Sequence, residues 1–92
     1  FAASDETAFG AITALHALGV RVPDDVSIVA IDGHEDGAEW GLTTVAQFPK
    51  EQGRMAARQL LDELDGAPAP DGFDSARFEF LVRSSTAAPP PV

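Results

Sequence analysis

The chain has 92 residues, which is enough for one small domain. Hydrophobic residues make up 45% of it and charged residues 23%, a composition typical of a soluble globular protein and not of a disordered one. Fifteen acidic side chains against six basic ones give a formal net charge of −9. DNA affinity depends largely on Lys and Arg side chains that neutralise phosphates, so this segment is not expected to contact nucleic acid itself.

Several classes of protein are excluded by what the sequence lacks. There is no cysteine, which rules out disulfides and cysteine-based zinc sites. No apolar run approaches the roughly 18 residues of a membrane span, and no signal peptide opens the chain, so no membrane partner is expected. The first residue is Phe1, not Met, and residues 1–3 resemble the end of a strand. We therefore expect a piece of a longer protein.

The first half of the chain predicts a helix followed by two strands. Ser4 is a suitable N-cap, and apolar residues recur at helical spacing up to Gly19, which predicts a helix over 5–18. The β-branched run 26–31 predicts a strand buried on both faces, as in a parallel sheet. A polar, glycine-containing loop precedes the short strand predicted over 43–46.

The second half predicts one more helix and one more strand. Pro49 opens a helix that extends to about residue 65. A loop over 67–74 leads to a strand over 77–83, in which alternate apolar residues share one face. The proline-rich residues 87–92 predict a flexible tail. This order of elements predicts an α/β fold with a mainly parallel sheet flanked by helices.

Polar residues follow the first predicted strand and precede the first helix. Asp32 ends the strand, and Ser4 follows the strand end predicted at residues 1–3. Ligands of open parallel sheets bind beyond the carboxyl ends of the strands, so the two side chains are expected to face one crevice. A carboxylate and a hydroxyl there suit a ligand rich in hydroxyls, such as a sugar. The alternative is that Asp32 and Ser4 only cap the local loop and helix.

Three blocks of the sequence resemble the C-terminal part of LacI/GalR-family transcriptional regulators. These blocks are FAASDETAFGAITALHALGVRVPDDVSIVAIDG, LTTVAQFPKEQGRMAARQLLDELDG and LVRSSTAAP. The resemblance implies a periplasmic-binding-protein-like (type I) effector domain of two α/β subdomains with a ligand cleft between them. Residues 1–86 would form part of that domain, incomplete in this chain, and the helix at about 49–65 would pack on an N-terminal subdomain absent from it.

The resemblance also implies a small-molecule effector, a homodimer, and operator DNA bound through a helix-turn-helix that this chain does not contain. Asp32 matches a common contact of effector hydroxyls, and Ser4 stands where members often have Asn. Phe48 lies near the hinge and is expected either to stack on a sugar ring or to pack beneath the crossover. His34 is either a contact at the rim of the effector site or a solvated loop residue.

The dimer interface of the family uses the first helix and the loop after Asp32. This implies interface roles for Phe9, Ile12 and Trp40. An aromatic side chain in a polar loop suits an interface, because aromatic residues are enriched in interface cores. The alternative is that Trp40 covers the local core of its own subunit.

The sequence offers little support for catalysis or for a bound metal. The run His34-Glu35-Asp36 lacks the spacing of a zinc site, and Ser84-Ser85-Thr86 has no accompanying base. No enzymatic activity and no cofactor are expected. The resemblance implies a cytoplasmic repressor that senses a sugar-like effector. The alternative is a periplasmic sugar-binding protein of a transporter, since the same fold serves both.

Overall fold

A computed structural model of the chain describes residues 1–72 and 76–91. The described residues form two α-helices, three short strands and one 3-10 turn. In chain order these are α1 (Asp5–Ala17), β1 (Val29–Asp32), the 3-10 turn (Glu35–Gly37), β2 (Thr43–Ala46), α2 (Pro49–Leu64) and β3 (Glu79–Leu81). Every predicted helix and strand after residue 4 is therefore present, although β1 begins three residues later than predicted and β3 is shorter.

The strands form one mixed sheet in the order β1-β2-β3. β1 and β2 are parallel, with Val29 opposite Thr43, and β3 runs antiparallel to β2, with Leu81 opposite Thr44. The Ala2 N–H also donates to the Val29 carbonyl at 2.9 Å, so the start of the chain lies beside β1. The predicted α/β class is confirmed, and the sequence pattern had not indicated the antiparallel direction of the third strand.

The chain divides into two compact units. One contains Phe1–Gln47 together with the described residues from Phe78 onward, and the other is Phe48–Arg77. The first unit contains the sheet and α1. The second consists of α2 and its connections to the first.

Small side chains form the core between α1 and the sheet. Even-numbered residues of β1 face the helix, because side chains alternate along a strand. Ala8 of α1 and Ala30 of β1 are fully buried, which lets the backbones approach closely, and larger apolar side chains surround them. The buried cluster is Ala2, Ala8, Ile28, Ala30 and Leu42, with Phe9, Ile12, Leu15 and Val22 packed against it.

The two ends of α1 follow the predicted capping chemistry. The Ser4 side chain accepts a hydrogen bond from the Thr7 N–H at 3.1 Å. Gly19 follows the helix at φ 76°, a left-handed conformation that glycine adopts without steric cost.

α2 begins at Pro49, as predicted, and none of its residues is buried. Its apolar side chains are largely exposed, from 48% at Met55 to 75% at Leu64. Exposed apolar area costs about 25 cal/mol per Å², so a face of this kind is expected to have a partner. Packing of this face on an N-terminal subdomain stays a prediction. None of the described helices is long and apolar enough to cross a membrane.

Two predicted segments lie partly outside the described residues. The loop predicted over 67–74 includes Phe73 and Asp74, and the tail predicted over 87–92 includes Val92; these three residues are not described. At the start of the tail, the Ala87 N–H donates to the Ser27 hydroxyl at 3.1 Å. The rest of the tail stays a prediction.

Candidate functional site

The carboxyl end of β1 meets the beginning of α1 at one edge of the sheet. Asp32 is the last residue of β1, and its Oδ2 accepts a hydrogen bond from the Asp5 N–H at 3.2 Å. Ser4 directly precedes Asp5 and is half-buried, as is Asp32. Two of the four residues predicted to contact a ligand, Ser4 and Asp32, thus lie at the same edge. Ser4 also caps α1, so its structural role is present whether or not it contacts a ligand.

The buried side chain of Asp5 accepts hydrogen bonds from several groups at this edge. It is fully buried, and its Oδ2 accepts from the Gly33 N–H at 3.1 Å and the His34 N–H at 2.7 Å. Its Oδ1 accepts from the Thr44 hydroxyl at 2.6 Å. A buried carboxylate is tolerated only when donors satisfy its oxygens, and three donors do so here. Asp5 therefore connects the start of α1 to β2 and to the peptide that follows Asp32.

Gly33 allows the chain to turn sharply after Asp32. Its φ is 81°, and a Cβ built on it would lie 2.7 Å from the Ala46 Cβ and 2.8 Å from the Ala46 Cα. No side chain fits this position, since both the backbone conformation and the close approach to β2 require glycine. The Gly33 N–H donates to the Asp5 carboxylate, which holds the turn to the start of α1.

His34 turns its ring toward α1. Its Nδ1 accepts from the Asp36 N–H at 3.0 Å, which caps the 3-10 turn, and its Nε2 lies 3.9 Å from the Glu6 carboxylate. The ring meets the Phe9 ring edge-on, with centroids 5.6 Å apart. His34 thus has a structural role between the turn and α1. Its predicted contact at the rim of the effector site stays a prediction.

Phe48 belongs to the second compact unit. It has a left-handed backbone conformation with φ 52°, directly before Pro49. The Arg77 guanidinium lies 3.6 Å from the centre of its ring, a cation–π contact, and donates to the Glu51 carboxylate at 2.7 Å. These hydrogen bonds from Arg77 hold the pKa of Glu51 below its ordinary value. Arg77 thus covers one face of the Phe48 ring, and the two alternatives for Phe48, stacking on a sugar and packing beneath the crossover, both stay predictions.

The three predicted interface residues lie together on α1 and in the loop after β1. Phe9 and Ile12 are half-buried and pack against the core, so part of each side chain is structural. Trp40 stacks on Phe9 with ring centroids 4.8 Å apart and an interplanar angle of 26°. It remains 41% exposed. Trp40 therefore covers part of the core of its own chain and also presents aromatic surface.

Sequence reasoning missed the role of Ser85. Its hydroxyl accepts from the Thr43 N–H at 2.8 Å and donates to the Ile28 carbonyl at 2.6 Å, and the residue is buried. It thereby joins β2 to the residue that precedes β1. Apolar periodicity cannot reveal such a serine. The only available signal was the occurrence of Thr43-Thr44 and Ser84-Ser85-Thr86 in segments otherwise rich in apolar residues.

Metal binding finds no support in the part of the chain that the structure describes. Within residues 1–72 and 76–91, no group of three or more His, Asp or Glu side chains is placed to hold a metal ion. His34 and Asp36 interact with each other through the turn cap instead. The polar groups at the β1 edge are hydrogen-bond acceptors and donors, which suits a neutral hydroxylated ligand.

Comparisons with known proteins agree with this geometry. A family model for the periplasmic binding protein-like domain matches residues 1–86. The HTH-type transcriptional regulator MalR of Streptomyces coelicolor is 43% identical over 90 residues, which cover 96% of this chain and 26% of MalR. The chain thus spans about a quarter of the length of this relative.

Solved structures show the same likeness. Dimeric Lac repressor with an 11-residue C-terminal deletion superposes with a TM-score of 0.85 at 32% identity, over 96% of this chain and 33% of the repressor chain. A LacI family transcriptional regulator from Lactobacillus casei with bound sucrose gives a TM-score of 0.75 at 31% identity, over 91% of this chain and 31% of the other. The matched residues and these identities show that the chain belongs to the LacI/GalR family of transcriptional regulators and has the fold of a periplasmic binding protein-like domain.

Proposed function

We propose that this chain is part of the effector-sensing domain of a DNA-binding transcriptional repressor. The observation that carries the proposal is its 43% identity to a transcriptional regulator over 96% of its own length. In this proposal a sugar-like ligand binds in a cleft between two subdomains, one of which includes the edge formed by Ser4 and Asp32. Operator DNA is bound by a helix-turn-helix outside these residues, and the protein acts in the cytoplasm without catalysing a reaction.

The chemistry of the edge supports a hydroxylated ligand. A carboxylate has about four lone-pair positions, and the Asp5 N–H occupies one of those on Asp32. The remaining positions can accept hydrogen bonds from sugar hydroxyls. Hydrogen bonds to an ionised acceptor are stronger than neutral ones, so Asp32 is the residue expected to contribute most to affinity. Ser4 contributes less, because its hydroxyl already accepts the Thr7 N–H.

A periplasmic sugar-binding protein of a transporter is the alternative with the same fold. The relatives described above are regulators, and this favours the repressor. Sequencing the residues that precede Phe1 in the source protein discriminates the two. A helix-turn-helix supports the repressor, and a cleaved signal sequence would support the transport protein.

Asp32→Ala is expected to weaken sugar binding about 30-fold, or about 2 kcal/mol, because it removes a charged acceptor of hydroxyl groups. Operator affinity without sugar stays unchanged, since Asp32 lies far from any DNA-binding element in the proposal. The measurement is calorimetric titration with a panel of mono- and disaccharides that includes sucrose, together with operator binding followed by fluorescence anisotropy.

Asp24→Ala is the matched control for this experiment. It removes an aspartate whose side chain is 68% exposed and lies outside the β1 edge. It should bind sugar as the unmodified protein does. Sugar affinity that is the same in Asp32→Ala as in the unmodified protein would contradict the assignment of Asp32 as a ligand contact.

Trp40→Ala is expected to weaken the proposed homodimer about tenfold, because an aromatic side chain at the centre of an interface commonly contributes more than 1 kcal/mol. Sedimentation velocity over a range of micromolar concentrations measures the dissociation constant. Leu18→Ala is the control, since Leu18 is an apolar residue that is 77% exposed at the end of α1. A dissociation constant unaffected by Trp40→Ala would leave Trp40 as a cover for its own core only.

A further inference from the structure

We infer that Asp5 is a positioning residue for ligand binding, which holds Asp32 and the peptide after it in the geometry that accepts ligand hydroxyls. This inference rests on the proposed function and assigns a role to a buried group that does not itself reach the ligand. Asp5 lies at the first position of α1, where a carboxylate ordinarily interacts with the helix dipole at the surface. Here it is fully buried instead.

The first supporting observation is that Asp5 and the end of β1 hold each other reciprocally. The Asp5 N–H donates to the Asp32 side chain at 3.2 Å. The Asp5 side chain in turn accepts from the two backbone N–H groups that follow Asp32, those of Gly33 and His34, at 3.1 Å and 2.7 Å. The Asp32 carboxylate and the peptide that follows Asp32 are therefore both hydrogen-bonded to Asp5.

The second observation is that Asp5 is itself anchored independently of Asp32. Its other oxygen accepts from the Thr44 hydroxyl at 2.6 Å, and Thr44 is fully buried in β2, the central strand of the sheet. Charge-assisted hydrogen bonds of this kind are strong and directional, so the carboxylate has a fixed place beneath the edge. The sheet thus holds the Asp5 carboxylate, and that carboxylate in turn holds the peptide that follows Asp32.

Removing the Asp5 carboxylate loosens the turn after Asp32. The Gly33 and His34 N–H groups lose their acceptor, and the turn keeps only the bond from the Gln47 N–H to the Asp32 carbonyl at 3.0 Å and the bond from the N–H of residue 5 to the Asp32 carboxylate. The Asp32 carboxylate then samples orientations in which it does not meet the ligand. A ligand that binds only one orientation of the Asp32 carboxylate is bound more weakly by the same factor by which the population of that orientation falls.

The experiment compares Asp5→Ala with Thr44→Val in the intact protein, with Asp32→Ala as the reference. The probe is sucrose, or the sugar of the panel that binds the unmodified protein most tightly, and titration calorimetry measures the dissociation constant. Thr44→Val removes the anchoring hydroxyl but keeps both bonds from Asp5 to the turn. We expect Asp5→Ala to weaken sugar binding about tenfold or more, and Thr44→Val less than about threefold, while both lower the denaturation midpoint.

Asp5→Asn tests rescue by a conservative change. Its amide oxygen can accept from Gly33 and His34 while its amide nitrogen donates to the Thr44 hydroxyl, so sugar affinity should stay within about threefold of the unmodified value. Amide hydrogen exchange at Gly33 and His34 in Asp5→Asn provides a second readout. This measurement remains available if Asp5→Ala fails to fold. The inference requires that Asp5→Asn either keeps both the sugar affinity and the protection of the Gly33 and His34 amides from exchange, or loses both.

The outcomes separate this inference from the proposed function. If Asp32→Ala weakens binding but folded Asp5→Ala binds sugar within about threefold of the unmodified protein, Asp5 acts only on stability and the inference is overturned. Loss of affinity in Asp5→Asn with protection intact would overturn it as well. If no sugar binds the unmodified protein, or if Asp32→Ala binds as tightly as the unmodified protein, the proposed sugar site itself is wrong and the inference falls with it.

Discussion

We expect Ser85→Ala to lower the free energy of unfolding by about 3 kcal/mol, because it leaves two buried backbone groups without partners. The Ser85 hydroxyl accepts from the Thr43 N–H and donates to the Ile28 carbonyl, at 2.8 Å and 2.6 Å. Thr43 is fully buried and Ile28 is 7% exposed, so water cannot easily replace the serine. Each unsatisfied buried group costs about 1–3 kcal/mol.

Two backbone hydrogen bonds of Ser85 prevent a local movement that would compensate for the loss of its hydroxyl. Its N–H donates to the Gly41 carbonyl at 2.8 Å, and its carbonyl accepts from the Ile28 N–H at 2.9 Å. These backbone bonds persist in Ser85→Ala and keep the segment in place, so neither orphaned group can turn toward water. Denaturant unfolding of the intact protein measures the effect as a lower midpoint at constant slope.

Ser84→Ala is the natural control, since the neighbouring serine is exposed. Its replacement should change the free energy of unfolding by no more than about 0.5 kcal/mol. Equal effects of the two substitutions would show that the hydroxyl of Ser85 does not join the strands in solution. A change of slope in Ser85→Ala would indicate instead that the unfolded or native ensemble had changed.

The helices were predictable from the sequence because their signals are local. Ser4, Gly19 and Pro49 are capping or helix-starting residues whose effects depend only on neighbouring backbone groups. The first strand was located by its β-branched residues, and this placed Asp32 at its end. That single placement was enough to bring Asp32 and Ser4 to one edge of the sheet.

What the sequence did not reveal depends on contacts between distant residues. The antiparallel direction of β3 is fixed by its pairing with β2, for which residues 79–81 carry no signal of their own. Likewise, the alternation of Phe78, Phe80 and Val82 predicted a strand correctly, yet that face is 57–70% exposed in the described structure. Alternation specifies which residues share a face and not what covers it.

The role of Asp5 at the site could not be predicted from the sequence for the same reason. An acidic residue directly after an N-cap ordinarily lies at the surface and interacts with the helix dipole. The burial of Asp5 results from three donors, of which the nearest in sequence, Gly33, is 28 residues away. A pattern of nearest neighbours cannot contain that information, whereas the fold creates it by bringing the start of α1 beside Thr44 of β2 and the peptide after Asp32.

Gly33→Ala is expected to be among the most destabilising single substitutions in this part of the protein, at about 3–4 kcal/mol. The new Cβ would lie 2.7 Å from the Ala46 Cβ and 2.8 Å from the Ala46 Cα. Ala46 belongs to β2 and pairs directly with Asp32, so the strand cannot move away without breaking the register. A side chain at positive φ adds about 1–2 kcal/mol, and overpacking adds about 1–3 kcal/mol.

Gly19→Ala separates these two contributions. Gly19 has φ 76°, almost the same as the 81° of Gly33, but a Cβ built on it has no heavy atom within 4 Å. It should therefore show only the conformational cost, about 1 kcal/mol, when both variants are unfolded by denaturant under the same conditions. The difference between the two measurements is the cost of the approach to Ala46. If the two variants are equally destabilised, the turn after Asp32 does not lie against β2, and the edge that orients this aspartate is built differently.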